Sequence, residues 1–316
     1  MNIRTSVKLD DAGEAAAVAV KMLPKKKNRD WVGWVLIAPC MLGILIFNVF
    51  PMGMSLFYSF TTYDVISPPR NFGVHNYVNV FTNVILREKF FKTLWHTGVY
   101  LIYAIVIGGV LSYILALFLN QKVKGMSMYR VLYYLPVLLP PVCSAIVWAD
   151  ITDPLYGLAN SLLMRMGLEA YPFYSDPNTA LPTMLILGLW GLGSGMMLWI
   201  AQFQNIPEAL YEAADIEGAN AIVKCFRITI PMSTPTIFYC LINSIIQGLQ
   251  VFGPYLITGA GPDDSLLFFT TFIYVNHRDF NMGLACALSW MLFVVIAVIT
   301  MIVFKRSKWV FYGEDI

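Results

Sequence analysis

The chain has 316 residues, 58% of them hydrophobic and 13% charged, with a mean hydropathy of +0.65. That leaves too little polar surface to cover a soluble globule of this size, so the composition excludes a water-soluble domain and places the chain in a bilayer. The net charge of +2 has little meaning by itself, because the positions of Lys and Arg relative to the membrane spans carry the information.

The first segment, residues 1–30, ends in Lys25, Lys26, Lys27 and Arg29, just before the apolar run that opens at Trp31. That run continues to Tyr63, far beyond the roughly 7–15 residues of a signal-peptide core, so it reads as an uncleaved start anchor. Residues 12–20, ahead of the basic cluster, read as disordered or as a loose surface helix. A crossing helix needs about 20 apolar residues. Six stretches qualify, near 31–60, 96–120, 131–152, 181–203, 234–257 and 283–304. Pro39 and Pro51 are expected to kink or end helical pieces within the first. The fold class expected is therefore all-α and integral to the membrane, with a transmembrane body over 31–304 and a short tail at 305–316.

Orientation follows from the basic residues. With the amino terminus inside, the inner segments hold seven (residues 1–30), three (Lys122, Lys124, Arg130), two (Lys224, Arg227) and three (Lys305, Arg306, Lys308), against six in the outer loops. This bias predicts cytoplasmic termini and a cytoplasmic segment around Glu212. The outer loops near 61–95, 153–180 and 258–282 are long enough to meet an external partner.

The spans are nearly devoid of charge. Only Asp150 and His96 fall within them, both near outer ends. A charge at the bilayer centre costs about 2.5–3.5 kcal/mol, and carriers driven by protons or many ions keep such groups along their route. A secondary carrier is one rival reading, and this scarcity weighs against it. There is no G-x-x-x-x-G-K-[ST] phosphate loop, and Gly259-Ala260-Gly261-Pro262, followed by Asp263 and Asp264, reads as a turn. No H-E-x-x-H, G-x-S-x-G or His/carboxylate cluster appears, so metal and catalytic sites are not expected. A membrane enzyme acting on lipid-linked sugars is the second rival, but Asp150 and Asp153, its nearest carboxylate pair, read as a span-terminal turn. Cys40, Cys143, Cys225, Cys240 and Cys286 are odd in number and show no CxxC spacing, so they read as small core residues.

Between Gln204 and Pro235 the chain reads QNIPEALYEAADIEGANAIVKCFRITIPMSTP. Pro207 suits a helix start, and Glu208 and Glu212 place negative charge near its positive end. Ala213 and Ala214 add helix propensity without bulk. Gly218 would destabilise a helix interior by about 1 kcal/mol, so it reads as a helix end or sharp turn. A second piece follows, with Ile222, Phe226 and Ile230 on one face before Pro231. An acidic, small-residue element of this kind suits docking on a soluble partner.

The segment resembles the EAA loop of ABC importer permeases: E-A-A, three residues, G, nine residues, I-x-L-P. Glu212, Ala213, Ala214, Gly218, Ile228 and Pro231 fall at the matching positions, with Ile230 in place of Leu. The resemblance to the carbohydrate-importer subgroup extends along the chain through Pro51, Ser59-Phe60, Asn76-Tyr77, Tyr129-Arg130, Leu135-Pro136, Pro140-Pro141, Trp190 and Thr258-Gly259-Ala260-Gly261-Pro262. It implies the type I importer permease fold with six helices and a cytoplasmic coupling helix. It also implies a second permease subunit, an ABC ATPase dimer that binds ATP and Mg, and an extracellular or periplasmic solute-binding protein. The chain itself would then hold no cofactor and catalyse nothing. Its other contacts would be the carbohydrate, an oligosaccharide, and membrane lipid, with no nucleic acid.

For substrate, the fifth span offers Asn243, Gln247 and Gln250 at i, i+4 and i+7, predicted to share one helix face. Amides both donate and accept hydrogen bonds, as sugar hydroxyls require. Trp190 and Tyr255, with Trp199 and Phe252, are the aromatic faces that could stack on a sugar ring, though interhelical hydrogen bonding and interfacial anchoring would equally account for such residues.

Overall fold

A computed structural model of the chain describes residues 30–253 and 258–310. The basic cluster before Trp31, the 12–20 stretch and Tyr255 lie outside the described residues. Two compact units divide the chain, Met1–Ser55 and Leu56–Ile316, and the boundary falls inside helix α1 (Gly33–Ser59). In the first unit the described residues are helical and display large apolar side chains, with Trp34, Leu36 and Phe47 exposed at 72%, 75% and 78%. This is the display of a segment whose solvent is hydrocarbon.

Of the two outcomes expected at Pro39 and Pro51, a kink or an end, the structure excludes an end: one helix runs through both. Pro39 lies inside helix, and Pro51 comes two residues after a π turn at Leu45–Val49. A proline ring collides with the carbonyl four residues back and lacks a donor. Widening the ladder from i+4 to i+5 just ahead of it swings that carbonyl aside. The same device recurs at Cys225–Thr229, two residues before Pro231.

The second unit starts on the end of α1. A short helix α2 (His75–Thr82) precedes α3 (Val84–Leu119). Helix α3 starts twelve residues earlier than the span expected from 96, because the Asn83 side chain caps it, accepting from the Ile85 and Leu86 amides at 3.0 and 3.2 Å. At about 1.5 Å per residue its 36 residues reach about 54 Å, well past a hydrocarbon core of about 30 Å. Its first turns, with Arg87, Glu88, Lys89 and Lys92, therefore project from the bilayer.

The stretch expected as one helix over 131–152 is two, α4 (Met126–Leu138) and α5 (Pro141–Ile151), bent by 95°. Pro140 and Pro141 force this: Leu139 and Pro140 are extended at ψ 130° and 140°, as a residue ahead of proline must be. After α6 (Leu158–Arg165), the fourth span is also a pair, α7 (Pro177–Gly191) and α8 (Gly193–Gln204), bent by 43°. Next come α9 (Glu208–Ile216), α10 (Ala221–Met232) and α11 (Thr234–Leu249), the last two bent by 67° at Ser233. Helix α11 stops at Leu249 instead of running to 257. Finally α12 (Phe269–Arg278) leads into α13 (Met282–Lys305), which matches the expected sixth span closely. By length and composition α1, α3 and α13 can cross a membrane unaided, and counting each bent pair as one span brings the total to as many as six among the described residues.

Two ends are tied separately. At one, Lys89 and Lys92 on α3 pair with Asp264 and Asp263 at 3.3 and 3.2 Å, while the Phe269 amide donates to Thr97 Oγ1 at 3.0 Å. Buried Asn76 donates to the Ser59 and Thr61 carbonyls at 2.8 and 2.9 Å, and Phe90, Leu267, Phe269, Phe272, Leu288 and Leu292 form a core below. At the other, Ala116, Leu119, Met196, Trp199, Ile200, Phe203 and Ile206 form a second core. Of the cysteines expected in the core, only Cys286 is buried; Cys40 and Cys143 are exposed, because an apolar run in a membrane need not face protein.

Gly283 at the start of α13 marks the tightest approach at the first end. A Cβ there would meet the Thr61 carbonyl oxygen at 2.2 Å, and backbone cannot yield as a flexible side chain can. Gly283→Ala is expected to destabilise by about 1–3 kcal/mol. Gly98→Ala, with nothing within 4 Å, is expected to be neutral. Thermal unfolding of the two detergent-solubilised variants checks the contrast.

Candidate functional site

The segment 208–232 forms a V with its apex at Gly218. Pro207 precedes α9, so Glu208 is the first helical residue. The end of α9 is a complete Schellman cap: the Ala219 amide donates to the Ala214 carbonyl at 2.9 Å and the Gly218 amide to the Asp215 carbonyl at 3.0 Å. Gly218 sits at φ +75°, the left-handed conformation that a side chain disfavours and this cap requires. Asn220 then caps α10 by accepting from the Val223 amide at 2.9 Å. The apex is exposed, including Glu212, Ala213, Glu217 and Gly218. Ile216, Ile222 and Phe226 are exposed at 89%, 68% and 66%.

The arms of the V are fastened to each other and to the spans. Lys224 pairs with Asp215 across the bend, and Tyr211 Oη lies 3.0 Å from Thr229 Oγ1. Tyr211, Ile228 and Met232 pack against the Ala116–Ile206 core. Half-buried Pro231 follows the π turn. Gln202 on α8 donates to the Met232 carbonyl at 3.1 Å and accepts from Thr236 Oγ1 at 2.7 Å, bridging α8 across the Ser233 bend. Outside, Lys122 and Glu208 pair at 2.5 Å, exposed at 87% and 73%. The Lys122 hydrogen bond and charge hold the Glu208 carboxyl below the usual carboxylate range. Whatever stability this adds is present at neutral pH and is lost as pH falls through the lowered value. With both groups in solvent the pair orients the start of α9 more than it stabilises it.

Above the same core lies a cavity of about 490 Å³ between α3, the α7–α8 break and α11. Its wall includes Tyr100, Tyr103, Ser112, Ser194, Trp199, Tyr239, Asn243, Ser244 and Gln247. Among the described residues none that lines it is Asp, Glu, Lys, Arg or His, so what they offer is uncharged hydroxyls, amides and ring faces. Asn243 donates to the Tyr239 carbonyl at 3.0 Å, leaving its carbonyl oxygen available. Gly195 brings α8 onto α3, where an added Cβ would meet Ser112 Oγ at 3.0 Å. Trp199 donates to the same hydroxyl at 3.3 Å.

The structure brings Asn243 and Gln247 into this cavity but not Gln250 or Trp190. Because α11 ends at Leu249, Gln250 is its exposed cap at φ −107°, ψ 19°, off the face that the i, i+4, i+7 spacing predicts. Trp190 rests edge-on against Trp148, centroids 5.1 Å apart. Phe252 contacts Tyr274 in the loop region. Tyr100, Tyr103, Tyr239 and the serines escape sequence reasoning, since a tyrosine or serine in an apolar span carries no periodic signal. The one usable cue is Tyr239, a turn before Asn243 on the same face. Asp153 does form the turn expected of it, accepting from the Leu155 and Tyr156 amides at 2.8 and 3.1 Å.

Residues 108–307 match the family model described as binding-protein-dependent transport system inner membrane component. The probable ABC transporter permease protein YesP of Bacillus subtilis is 36% identical over 305 residues, covering 94% of this chain and 97% of that protein. The sulfoquinovosyl glycerol transport system permease protein SmoG of Agrobacterium fabrum is 30% identical, covering 96% and 99%. Among solved structures, a bacterial ABC transporter involved in the import of the acidic polysaccharide alginate superposes with a TM-score of 0.80 at 24% identity, over 89% of this chain and 96% of that one, and so shares the fold. The two rival classes, a self-powered carrier and a membrane enzyme, give way to this match. With its six apolar crossings, its capped V and its uncharged central cavity, the chain belongs to the family of binding-protein-dependent transport system inner membrane components, the non-catalytic permease subunits of ABC transporters.

Proposed function

We propose that this chain is one of two membrane subunits of an importer that moves a carbohydrate, in oligosaccharide form, from an external binding protein into the cytoplasm. An ABC ATPase dimer, which binds ATP and Mg, drives it through the V at 208–232. The observation that carries this reading is that V and cavity share a wall. Trp199 belongs to the core on which Tyr211 and Ile228 pack, Cys240 packs against that core, and both line the cavity. Displacement of the exposed apex therefore reaches the cavity through side chains in direct contact, and close-packed interiors transmit such displacements with little loss.

In this reading Glu208, Glu212, Ala213, Ala214 and Gly218 form the surface that seats on the ATPase, with Ile228 and Pro231 holding the inner arm. The small alanines and the side-chain-free apex let backbone approach the partner closely, and exposed Ile216 and Phe226 supply apolar contact. Asn243 and Gln247 bind sugar hydroxyls in the cavity. Gln250, Trp190 and Tyr255 stay assigned to the pathway only at its outer mouth or where the second subunit completes it.

The carbohydrate assignment draws on the uncharged, hydroxyl- and amide-rich wall and on the sugar glycoside in the name of the SmoG relative. A volume of about 490 Å³ lies within the range of about 300–1,000 Å³ that encloses drug-sized molecules, larger than a single sugar ring. Sidedness follows from the basic residues, with both termini in the cytoplasm. The pairing of Lys122 with Glu208 supports it by placing two of the inner segments at one end.

Copurification from the native membrane is expected to bring down a second permease and an ABC ATPase; recovery of the chain alone would sink the assignment. Gln247→Leu should raise the half-saturating substrate concentration about tenfold with assembly intact, whereas Gln250→Leu should change it less than twofold, as read by uptake into proteoliposomes. Gly218→Leu, strained at φ +75° by about 1–2 kcal/mol and bulky at the docking face, should abolish substrate-stimulated ATP hydrolysis. Hydrolysis at the wild-type rate would refute the role of the apex.

A further inference from the structure

The V has a weak point, and something must keep it from folding there. Its two arms meet through Gly218, Ala219 and Asn220, an exposed joint held by two backbone hydrogen bonds. A push on the apex could be absorbed by flexing this joint, leaving the spans unmoved. Exposed polar contacts do little to prevent that: Lys224–Asp215 is an ion pair whose carboxylate is 64% exposed, weakened by water and salt.

One contact between the arms is shielded from water. Thr229 is buried, 5% exposed, inside the π turn of the inner arm, and Tyr211 reaches it from the middle of the outer arm. The two hydroxyls have a consistent direction. Thr229 Oγ1 lies 3.4 Å from the Lys224 carbonyl, five residues back in the π turn, to which it donates. That leaves its lone pairs to accept the Tyr211 proton at 3.0 Å. The Tyr211 ring packs on the Ala116–Ile206 core, so the bond forms where the V meets the spans. Both arms are thereby fixed to one another and to the core at a single point.

We infer that the Tyr211–Thr229 hydrogen bond is a clasp that holds the two arms of the coupling element rigid, so that displacement of the apex moves the spans instead of bending the joint at Gly218. Tyr211 and Thr229 are positioning residues: neither faces the ATPase, and neither lines the cavity. The inference rests on the coupling role proposed above.

The test uses the assembled complex in proteoliposomes. Ser194→Cys places a thiol in the cavity wall, in a background where Cys40, Cys143, Cys225 and Cys240 are changed to Ser, and a membrane-impermeant maleimide reports its exposure with and without ATP and Mg. The quantity read is the change in labelling per ATP hydrolysed. Tyr211→Phe and Thr229→Val, which keep shape and remove the bond, should each lower that ratio about two- to tenfold, the effect of one lost hydrogen bond. The double variant should be no worse than either single, because both remove one bond. Thr229→Ser, which keeps the hydroxyl, should behave as wild type, and amide exchange at residues 217–221 should quicken in Tyr211→Phe and in Thr229→Val but not in Thr229→Ser.

An unchanged ratio in both single variants, additive losses in the double, or an equal loss in Thr229→Ser would overturn the clasp. So would a fall in copurified ATPase matching the fall in the ratio, which would make the bond merely structural. Gly218→Leu separates the two levels of the argument. If it lowers the ratio while Tyr211→Phe does not, only the clasp fails; if it too has no effect, the coupling role fails with it.

Discussion

Hydrocarbon cannot hydrogen-bond, and every irregularity in these helices is shaped by that fact. A backbone group left open in lipid costs several kcal/mol, so a proline cannot simply interrupt a span. At Pro51 and Pro231 the ladder widens into a π turn just upstream. At Ser233, where the ladder truly breaks, the bend is packed inside the protein. Ser233, fully buried, returns its hydroxyl to the Thr229 carbonyl at 2.6 Å, and Gln202 supplies an amide donor to the Met232 carbonyl freed by the bend. Asn243 likewise satisfies its amide within its own helix.

The same constraint explains where energy enters. Spans without internal charge hold no group that a proton or ion gradient could act on, and the family to which the chain belongs solves this by placing the motor in another polypeptide. The breaks then acquire a purpose. A straight helix could transmit a push only along its axis. Two of the bent pairs, α7–α8 and α10–α11, meet α3 at one cavity, with the Trp199 ring at the boundary between the core under the 208–232 segment and the cavity wall, so a displacement on one face can change the shape of a space some turns away. The close approach of Gly195 to Ser112 and the Trp199 hydrogen bond to the same hydroxyl make that boundary stiff.

At the opposite end the fastening is different. Lys89 and Lys92, on the part of α3 that stands clear of the bilayer, hold the loop carrying Asp263 and Asp264. Both aspartates adopt left-handed backbone, φ 50° and 54°, in the turn after Gly261. Neither the early start of α3 nor this pairing belongs to the hydrophobic pattern: a helix in water needs only its cap and its propensity, and hydropathy is blind to it. Asn83 was the available cue, a helix-capping residue ahead of an amphipathic charged stretch.

The sequence by itself determined the solvent, the six apolar stretches and the sharp turn at Gly218, because each follows from composition or from a local rule that neighbours cannot overrule: apolar length and a backbone conformation open to glycine. It also placed the Glu212–Pro231 pattern through its fixed spacing. Only the tertiary structure decided that α11 stops at Leu249 and so turns Gln250 away from Asn243 and Gln247, that Trp190 lies against Trp148 instead of the cavity, and that Tyr100, Tyr103 and Tyr239 converge there. It alone set Tyr211 against Thr229. These are meetings between residues far apart in the chain, fixed by how bent helices pack, and in a membrane nearly every face of a helix is apolar, so the periodicity that would reveal an inward face in water is missing.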